Sequence, residues 1–126
     1  MLSLFMKKKP PVPSGWTLNT GDKEFPVYAE IFNEYVDGIL AGILAGGTEF
    51  LILSPPKPID HIAFIQTCPD REDGFLHIEA GFDQKFEDGS VKLLGSDRHT
   101  QAEVLEMFIR FFESGKIDMT GWFEVR

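Results

Sequence analysis

The chain has 126 residues, of which 43% are hydrophobic and 25% are charged. This length fits one domain with a single core, and the composition is typical of a folded globular protein and excludes a disordered one. The net charge of −8 includes three positive charges at Lys7, Lys8 and Lys9, so the other residues together carry −11. Because a field of this sign repels phosphates, we expect no binding to nucleic acid and favour a basic protein partner.

The first part of the chain contains many residues that interrupt helices and strands. Three prolines and two glycine-containing turns lie within residues 1–24, which predicts an irregular lead-in over residues 1–24 and a single α+β domain over residues 25–126. The apolar residues 1–6 precede the lysines and are too few for a signal peptide. The longest apolar run, residues 38–45, is far below the roughly 20 residues that span a bilayer. We therefore expect a cytoplasmic bacterial protein without a membrane span.

A first helix is predicted from Pro26 onwards. Apolar residues recur at helical spacing as far as Leu44, and Gly46-Gly47 is a typical helix stop. The opposite face is polar at first and then becomes small, with Gly38 and Gly42 among its residues. Because interior glycines weaken a helix by about 1 kcal/mol each, another backbone should approach this face closely. Packing against the sheet is one interpretation, and a homodimer contact through Gly38 and Gly42 is the other.

Four strands and a second helix are predicted after the first helix. Prolines 55, 56 and 58 end the first strand, and Asp88-Gly89 is a strong hairpin signal between the last two. Thr100 and Glu103 match a capping box at the start of a phenylalanine-rich helix. The predicted fold is α+β, with an antiparallel meander of about four strands and both helices packed on one face. The predicted strands are residues 49–53, 59–67, 75–87 and 90–94.

Alternation along the strand from Phe75 predicts which side chains can meet. Even-numbered positions other than Gln84 are apolar and odd-numbered positions are mostly polar, as in a sheet covered on one side. Strict alternation pairs residues whose numbers are both odd or both even. It places His77 opposite Ile65, so that no two of His61, His77 and His99 meet. Because a general base or a metal ligand needs its partners within about 3 Å, we predict no catalytic residue, no metal site and no cofactor. Cys68 is expected to be an ordinary thiol at a strand end.

Two acidic groups are candidates for binding a protein partner. One lies on the first helix and the other at the turn after the second strand. A solvated surface is one interpretation, and docking of a basic protein, with charge guiding the encounter, is the other. The candidate partner-binding residues are Glu30, Glu34, Asp37, Asp70, Glu72 and Asp73.

The order of elements over residues 48–125 resembles that of small uncharacterised bacterial α+β domains, including immunity proteins of bacterial toxin systems. The resemblance is carried by residues 50–53, 64–66 and 76–79, the capped helix and Thr120-Gly121-Trp122. It implies a compact, acidic, non-catalytic protein that covers the basic active-site cleft of one toxin. The alternative is a small-molecule-binding or enzymatic domain with a pocket between the first helix and the sheet. In that case Gln66 and Tyr35 would supply its polar groups.

Overall fold

The computed structural model describes residues 12–125, which form an α+β fold with one seven-stranded antiparallel sheet. The strand order is β2-β1-β3-β4-β5-β6-β7. A 3₁₀ turn (Ala29–Ile31) precedes the first helix. The elements in chain order are β1 (Thr17–Asn19), β2 (Glu24–Pro26), α1 (Phe32–Leu44), β3 (Leu51–Ser54), β4 (Ile62–Pro69), β5 (Leu76–Lys85), β6 (Val91–His99), α2 (Gln101–Ser114) and β7 (Phe123–Glu124).

The predicted α+β class is confirmed, but the prediction of about four strands is wrong. The three additional strands β1, β2 and β7 are only two or three residues long, which is too short for alternation to reveal them. Part of the predicted lead-in, residues 1–11, lies outside the described residues. Residues 17–19, which also belong to the predicted lead-in, form β1, which pairs with both β2 and β3.

The first helix begins at Phe32, six residues later than predicted. Pro26 instead ends β2, and Val27 continues the extended hairpin because its N–H donates to Trp16 O at 3.0 Å. The Val27 carbonyl accepts the Ser14 N–H at 2.9 Å. A residue whose donor and acceptor are both used by a neighbouring extended segment cannot begin a helix, so the tertiary pairing outweighs the local helical pattern.

The predicted capping box of the second helix is confirmed. The Glu103 N–H donates to Thr100 Oγ1 at 3.2 Å, and the Thr100 N–H donates to Glu103 Oε1 at 2.9 Å. Gly115 ends the helix with a φ of +72°, in the left-handed region that glycine adopts without steric cost. Both ends of α2 are therefore determined by local sequence.

Buried side chains of both helices and of the central strands form a single core cluster. Phe108 and Phe111 of α2 are fully buried, and Phe32 of α1 stacks on Phe112 of α2 with ring centroids 4.2 Å apart. Each large apolar side chain buried in this way contributes about 1.5–3 kcal/mol. The core residues from α1 and the strands are Leu18, Phe32, Val36, Leu40, Ile43, Leu51, Leu53, Ile62, Ile65, Leu76, Ile78 and Ala80.

The pairing of β4 with β5 differs from the predicted register. Ile65 pairs with Ala80 and Cys68 with His77, so residues of unequal parity face each other. A bulge between Ile62 and Phe64 causes this, because one extra residue moves all later side chains of the strand to the other face. The prediction that His77 lies opposite Ile65 is wrong.

A second bulge interrupts the pairing of β5 with β6. Leu76 pairs with His99 and Ile78 with Ser96, so Asp97 and Arg98 together lie opposite one residue of β5. Arg98 has a φ of +62°, which is uncommon for a residue with a side chain. This bulge determines where the side chains on either side of it point.

Candidate functional site

The three histidines lie in three separate settings. Nδ1 of the exposed His61 lies 2.9 Å from Asp83 Oδ1, and Nε2 of the half-buried His99 lies 2.7 Å from Ser96 Oγ. His77 belongs to a larger network. Within residues 12–125, no three or more histidine, cysteine, aspartate and glutamate side chains are grouped so that they could hold a metal ion.

A chain of four hydrogen-bonded side chains crosses the sheet face that is turned away from the helices. Gln66 Nε2 donates to Glu79 Oε1 at 2.6 Å, His77 Nε2 donates to Glu79 Oε2 at 2.7 Å, and His77 Nδ1 donates to Asp97 Oδ1 at 2.5 Å. The side chains of His77 and Glu79 are only 15% and 16% exposed. This outer network thus joins β4, β5 and β6 through partly buried charge-assisted hydrogen bonds.

The outer network favours a doubly protonated His77. Burial alone lowers the pKa of His77, but its hydrogen bonds to Glu79 and Asp97, together with their negative charges, raise it above the ordinary value of 6.5. Both ring nitrogens donate in this state. Neither nitrogen is then free to accept a proton from a substrate or to bind a metal ion, so His77 has the contacts of a structural cation.

Cys68 lies near the end of β4, as expected, and directly opposite His77. Both residues line a cleft of about 490 Å³, together with Asp97 and Phe123. Burial, and then the negative charges of nearby carboxylates such as Glu79, raise the pKa of the Cys68 thiol. Because the thiolate is the nucleophilic form, these surroundings make Cys68 less reactive than a free thiol in spite of the adjacent imidazole.

The two predicted acidic groups both contact the junction between β6 and α2. Asp70 Oδ2 accepts the Arg98 N–H at 2.7 Å, and Asp37 Oδ1 accepts a hydrogen bond from Gln101 Nε2 at 2.8 Å. Backbone N–H groups, that of Arg98 first, lower the pKa of Asp70 and keep it charged. Residues 98–101 therefore connect the acidic turn with the middle of α1.

The remaining candidate acids are exposed. Glu72 pairs with the Arg98 guanidinium at 3.0 Å, where both side chains are more than half exposed. Glu30 lies in the 3₁₀ turn, Glu34 lies in the first turn of α1, and Asp73 lies in the turn before β5. Their assignment to a partner surface remains a prediction.

A small apolar pocket of about 160 Å³ lies where the β1-β2 hairpin meets the start of α1. Its rim includes two large side chains with high exposure, Ile31 at 49% and Tyr35 at 40%. Gln66 does not line it but belongs to the outer network, so the expected pairing of Gln66 with Tyr35 in one cavity is wrong. The lining residues are Leu18, Phe25, Pro26, Val27, Tyr28, Ile31, Phe32 and Tyr35.

The two glycines of α1 have different surroundings. A Cβ added at Gly42 would lie 3.3 Å from Thr48 Oγ1, so the turn after the helix accounts for this glycine. No atom of the described residues lies within 4 Å of a Cβ added at the exposed Gly38. Contact of this face with a second copy of the chain remains a prediction.

Comparison with known proteins gave no match to a family model, to a curated protein or to a solved structure. Within residues 12–125, no helix has both the length and the apolar character needed to cross a bilayer. The geometry of the pocket, the outer network and the charged surfaces is therefore the basis for a functional proposal.

Proposed function

We propose that this chain binds a basic protein partner through the 3₁₀ turn and the first turn of α1, a function that needs no catalysis. The observation that carries the proposal is the apolar pocket, whose exposed rim residues Ile31 and Tyr35 lie directly beside the exposed acids Glu30 and Glu34. An apolar anchor point with a charged rim is the usual anatomy of a protein–protein interface.

The spacing of these four residues supports one continuous contact surface. Glu30 and Ile31 lie in the 3₁₀ turn, and Glu34 and Tyr35 lie in the first turn of α1 that follows it. Each of the two turns therefore carries one acidic side chain next to one apolar side chain. A partner segment that fits both has an apolar side chain flanked by lysine or arginine.

The size of the pocket favours a side chain over a small molecule. Sites for drug-sized ligands usually enclose about 300–1,000 Å³, whereas this pocket encloses about 160 Å³. It has room for one apolar side chain. A protein that inserts such a side chain gains apolar burial at the centre of the interface, and the surrounding carboxylates select for positive charge.

The sharpest form of the proposal is an immunity-type inhibitor of a basic toxin. The net charge of −8 would speed the encounter with a cationic active-site cleft. The turn before β5 provides a second group of negative charges. Asp70 of this turn and Asp37 of α1 both contact residues 98–101. In this form the chain inhibits by covering the cleft, and inhibition needs no chemical step by its own side chains.

Co-expression with the product of a neighbouring toxin-like gene tests the proposal. We expect a complex that survives size-exclusion chromatography and a host that survives expression of the toxin. The double variant Glu30→Gln/Glu34→Gln should weaken the complex, most strongly at low salt, and Tyr35→Ala should weaken it at any salt concentration.

Glu113→Gln is a matched control because it removes one negative charge from an exposed position of α2. This variant should bind as tightly as the unmodified chain. Equal loss of binding in Glu113→Gln and in the α1 variants would show that net charge alone matters and would contradict a site at the pocket. Absence of any complex with the neighbouring gene product would contradict the immunity-type form.

A further inference from the structure

Ser96, His99 and Glu103 form a cluster on the side of β6 that faces α2. Ser96 Oγ lies 2.7 Å from His99 Nε2, and Glu103 Oε2 lies 3.8 Å from His99 Nδ1. All three residues line a cleft of about 400 Å³ formed with residues 117–122. A hydroxyl, an imidazole and a carboxylate in this order have the arrangement of an activated nucleophile, its base and the group that orients the base.

The bulge in β6 brings this cluster together. In a regular strand, residues three apart point to opposite faces, yet Ser96 and His99 lie opposite the buried residues Ile78 and Leu76 and share one face. The extra residue costs a left-handed backbone at Arg98, with a φ of +62°. Bulges and strained backbone of this kind occur preferentially at functional sites.

His99 also has a polar atom without a hydrogen bond. Its Nδ1 is buried and, among the described residues, has no hydrogen-bond partner, since the Glu103 oxygen at 3.8 Å is too distant. Such atoms are rare in folded proteins and call for an explanation. Hydrogen bonds of catalytic groups are often long before substrate binds and shorten in the complex, which accounts for both the distance and the unsatisfied nitrogen.

We propose that Ser96 is a nucleophile activated by His99 and that this cleft transfers acyl groups from small uncharged carboxylic esters to water. Ser96 Oγ attacks the ester carbonyl carbon while its proton passes to His99 Nε2. The ester C–O bond then breaks, and the same proton leaves with the alcohol. A water molecule repeats these steps against the acyl-serine and releases the carboxylic acid. This activity goes beyond the proposed partner binding and uses different residues.

Glu103 is a positioning residue in this scheme. Its carboxylate is held by the Thr100 N–H, and this hydrogen bond, followed by the Thr100 hydroxyl and the His99 charge, lowers the pKa of Glu103. The charged carboxylate favours the tautomer with a proton on Nδ1, which leaves Nε2 free to accept the Ser96 proton. Thr100 therefore fixes Glu103, and Glu103 orients His99.

The walls of the cleft determine which esters fit. Met107, Ile117 and Trp122 provide apolar surface. Three carboxylates, of Glu103, Glu106 and Asp118, line the same cleft with one cation, Arg110, which donates to Glu106 Oε1 at 2.9 Å. The lining keeps a net negative charge, which disfavours anionic substrates. A neutral ester with a short apolar acyl group meets both conditions, whereas phosphate esters and dicarboxylates do not.

A fluorophosphonate probe and 4-nitrophenyl acetate test this proposal on the full chain. We expect one probe molecule per chain, located on Ser96 by peptide mass mapping, and turnover of the acetate ester that Ser96→Ala reduces at least tenfold. Ser90→Ala is the matched control, because the Ser90 hydroxyl is also hydrogen-bonded, but to the Asp88 carboxylate instead of to a histidine. The Ser90→Ala variant should react with the probe and hydrolyse the acetate ester as the unmodified chain does.

Two further variants separate general imidazole reactivity and helix capping from the proposed roles. His61→Gln removes an exposed histidine paired with a carboxylate and should leave turnover unchanged. Glu103→Gln keeps a side-chain acceptor for the Thr100 N–H but loses the charge, so kcat should fall several-fold while KM and the unfolding midpoint stay close to those of the unmodified chain.

Lack of labelling in the unmodified, folded chain would overturn the proposal, as would labelling mapped to another residue or unchanged turnover in Ser96→Ala. Partner binding by Ser96→Ala should be normal. This result separates the two proposals, because loss of partner binding by the α1 variants tests only the first of them.

Discussion

The outer network and the Ser96–His99–Glu103 cluster lie on opposite faces of the same bulge but differ in how well their polar atoms are satisfied. His77 donates from both ring nitrogens to carboxylates. His99 contacts one hydroxyl and has a buried nitrogen without a hydrogen-bond partner among the described residues. Asp97 belongs to the outer network and His99 to the cluster on the other face, although residues two apart share a face in a regular strand.

This difference separates a structural histidine from a reactive one. A fully bonded imidazolium stabilises the sheet but has no free atom for chemistry, whereas an imidazole beside a hydroxyl and an unsatisfied nitrogen can exchange a proton. Proximity to carboxylates is common to both clusters and so does not indicate reactivity. The feature that indicates reactivity is the unsatisfied ring nitrogen of His99.

The largest effect on stability is expected from His77→Leu. This change leaves the mostly buried Glu79 with only Gln66 as a partner, so the free energy of unfolding should fall by about 1.5–3 kcal/mol, the usual range for a hydrogen bond to a charged group. Urea denaturation measures it. His61→Leu is the control, because its pair with Asp83 is exposed and should contribute less than about 0.5 kcal/mol. Equal losses of unfolding free energy in His77→Leu and His61→Leu would show that the outer network adds no more stability than an exposed pair.

The next largest effect is expected at the bulge. Arg98→Val places a β-branched residue at a φ of +62° and should cost about 1–2 kcal/mol relative to Arg98→Gly, which adopts this conformation freely. Both substitutions remove the exposed pair with Glu72 equally, so their comparison isolates the backbone. Thermal unfolding measures the difference. Arg98→Val should also shift the Ser96 and Asp97 side chains, and identical stabilities would contradict a strained bulge.

Local patterns in the sequence were sufficient to predict α2 and the core face of β5. The capping box and Gly115 determine the ends of α2 without distant contacts, and the buried residues Leu76, Ile78 and Ala80 follow strict alternation. In these elements the local preference agrees with the packing, which is the condition under which sequence patterns are informative.

The two histidine clusters could not be predicted because a bulge has no clear sequence signal. The partner of His77 is Cys68, three positions from the predicted Ile65; the bulge near Ile62 accounts for one of these positions and for the change of parity. The Asp88-Gly89 turn shows the same problem: Phe86 N–H donates to Ser90 O around a three-residue loop, and Lys85 pairs with Val91. Each such shift moves a whole set of side chains to the other face.

The pH dependence of stability provides a smaller test of the outer network. The pKa of His77 is raised in the folded state above its ordinary value of 6.5, so the stabilisation by the imidazolium is fully present below pH 6.5 and is lost as the pH rises through the folded-state pKa. One proton contributes a slope of at most about 1.4 kcal/mol per pH unit. The difference between the unmodified chain and His77→Leu, measured by urea denaturation from pH 5 to 9, should therefore decrease above pH 6.5. A constant difference would contradict the charged state of His77.

The smallest effect concerns Cys68, which shares the outer cleft with His77. Since burial and nearby carboxylates raise the pKa of the thiol, iodoacetamide should alkylate Cys68 several-fold more slowly than free cysteine at pH 7.5. Glu79→Gln should increase the rate of alkylation, because it removes the carboxylate whose charge raises the pKa of the thiol most. Glu87→Gln, at an exposed position, should not change the rate. Alkylation as fast as that of a catalytic thiolate would mean that His77 holds an ion pair with Cys68 instead of with Glu79. The histidine with full hydrogen bonding would then be the reactive one, and the distinction between the two clusters would be reversed.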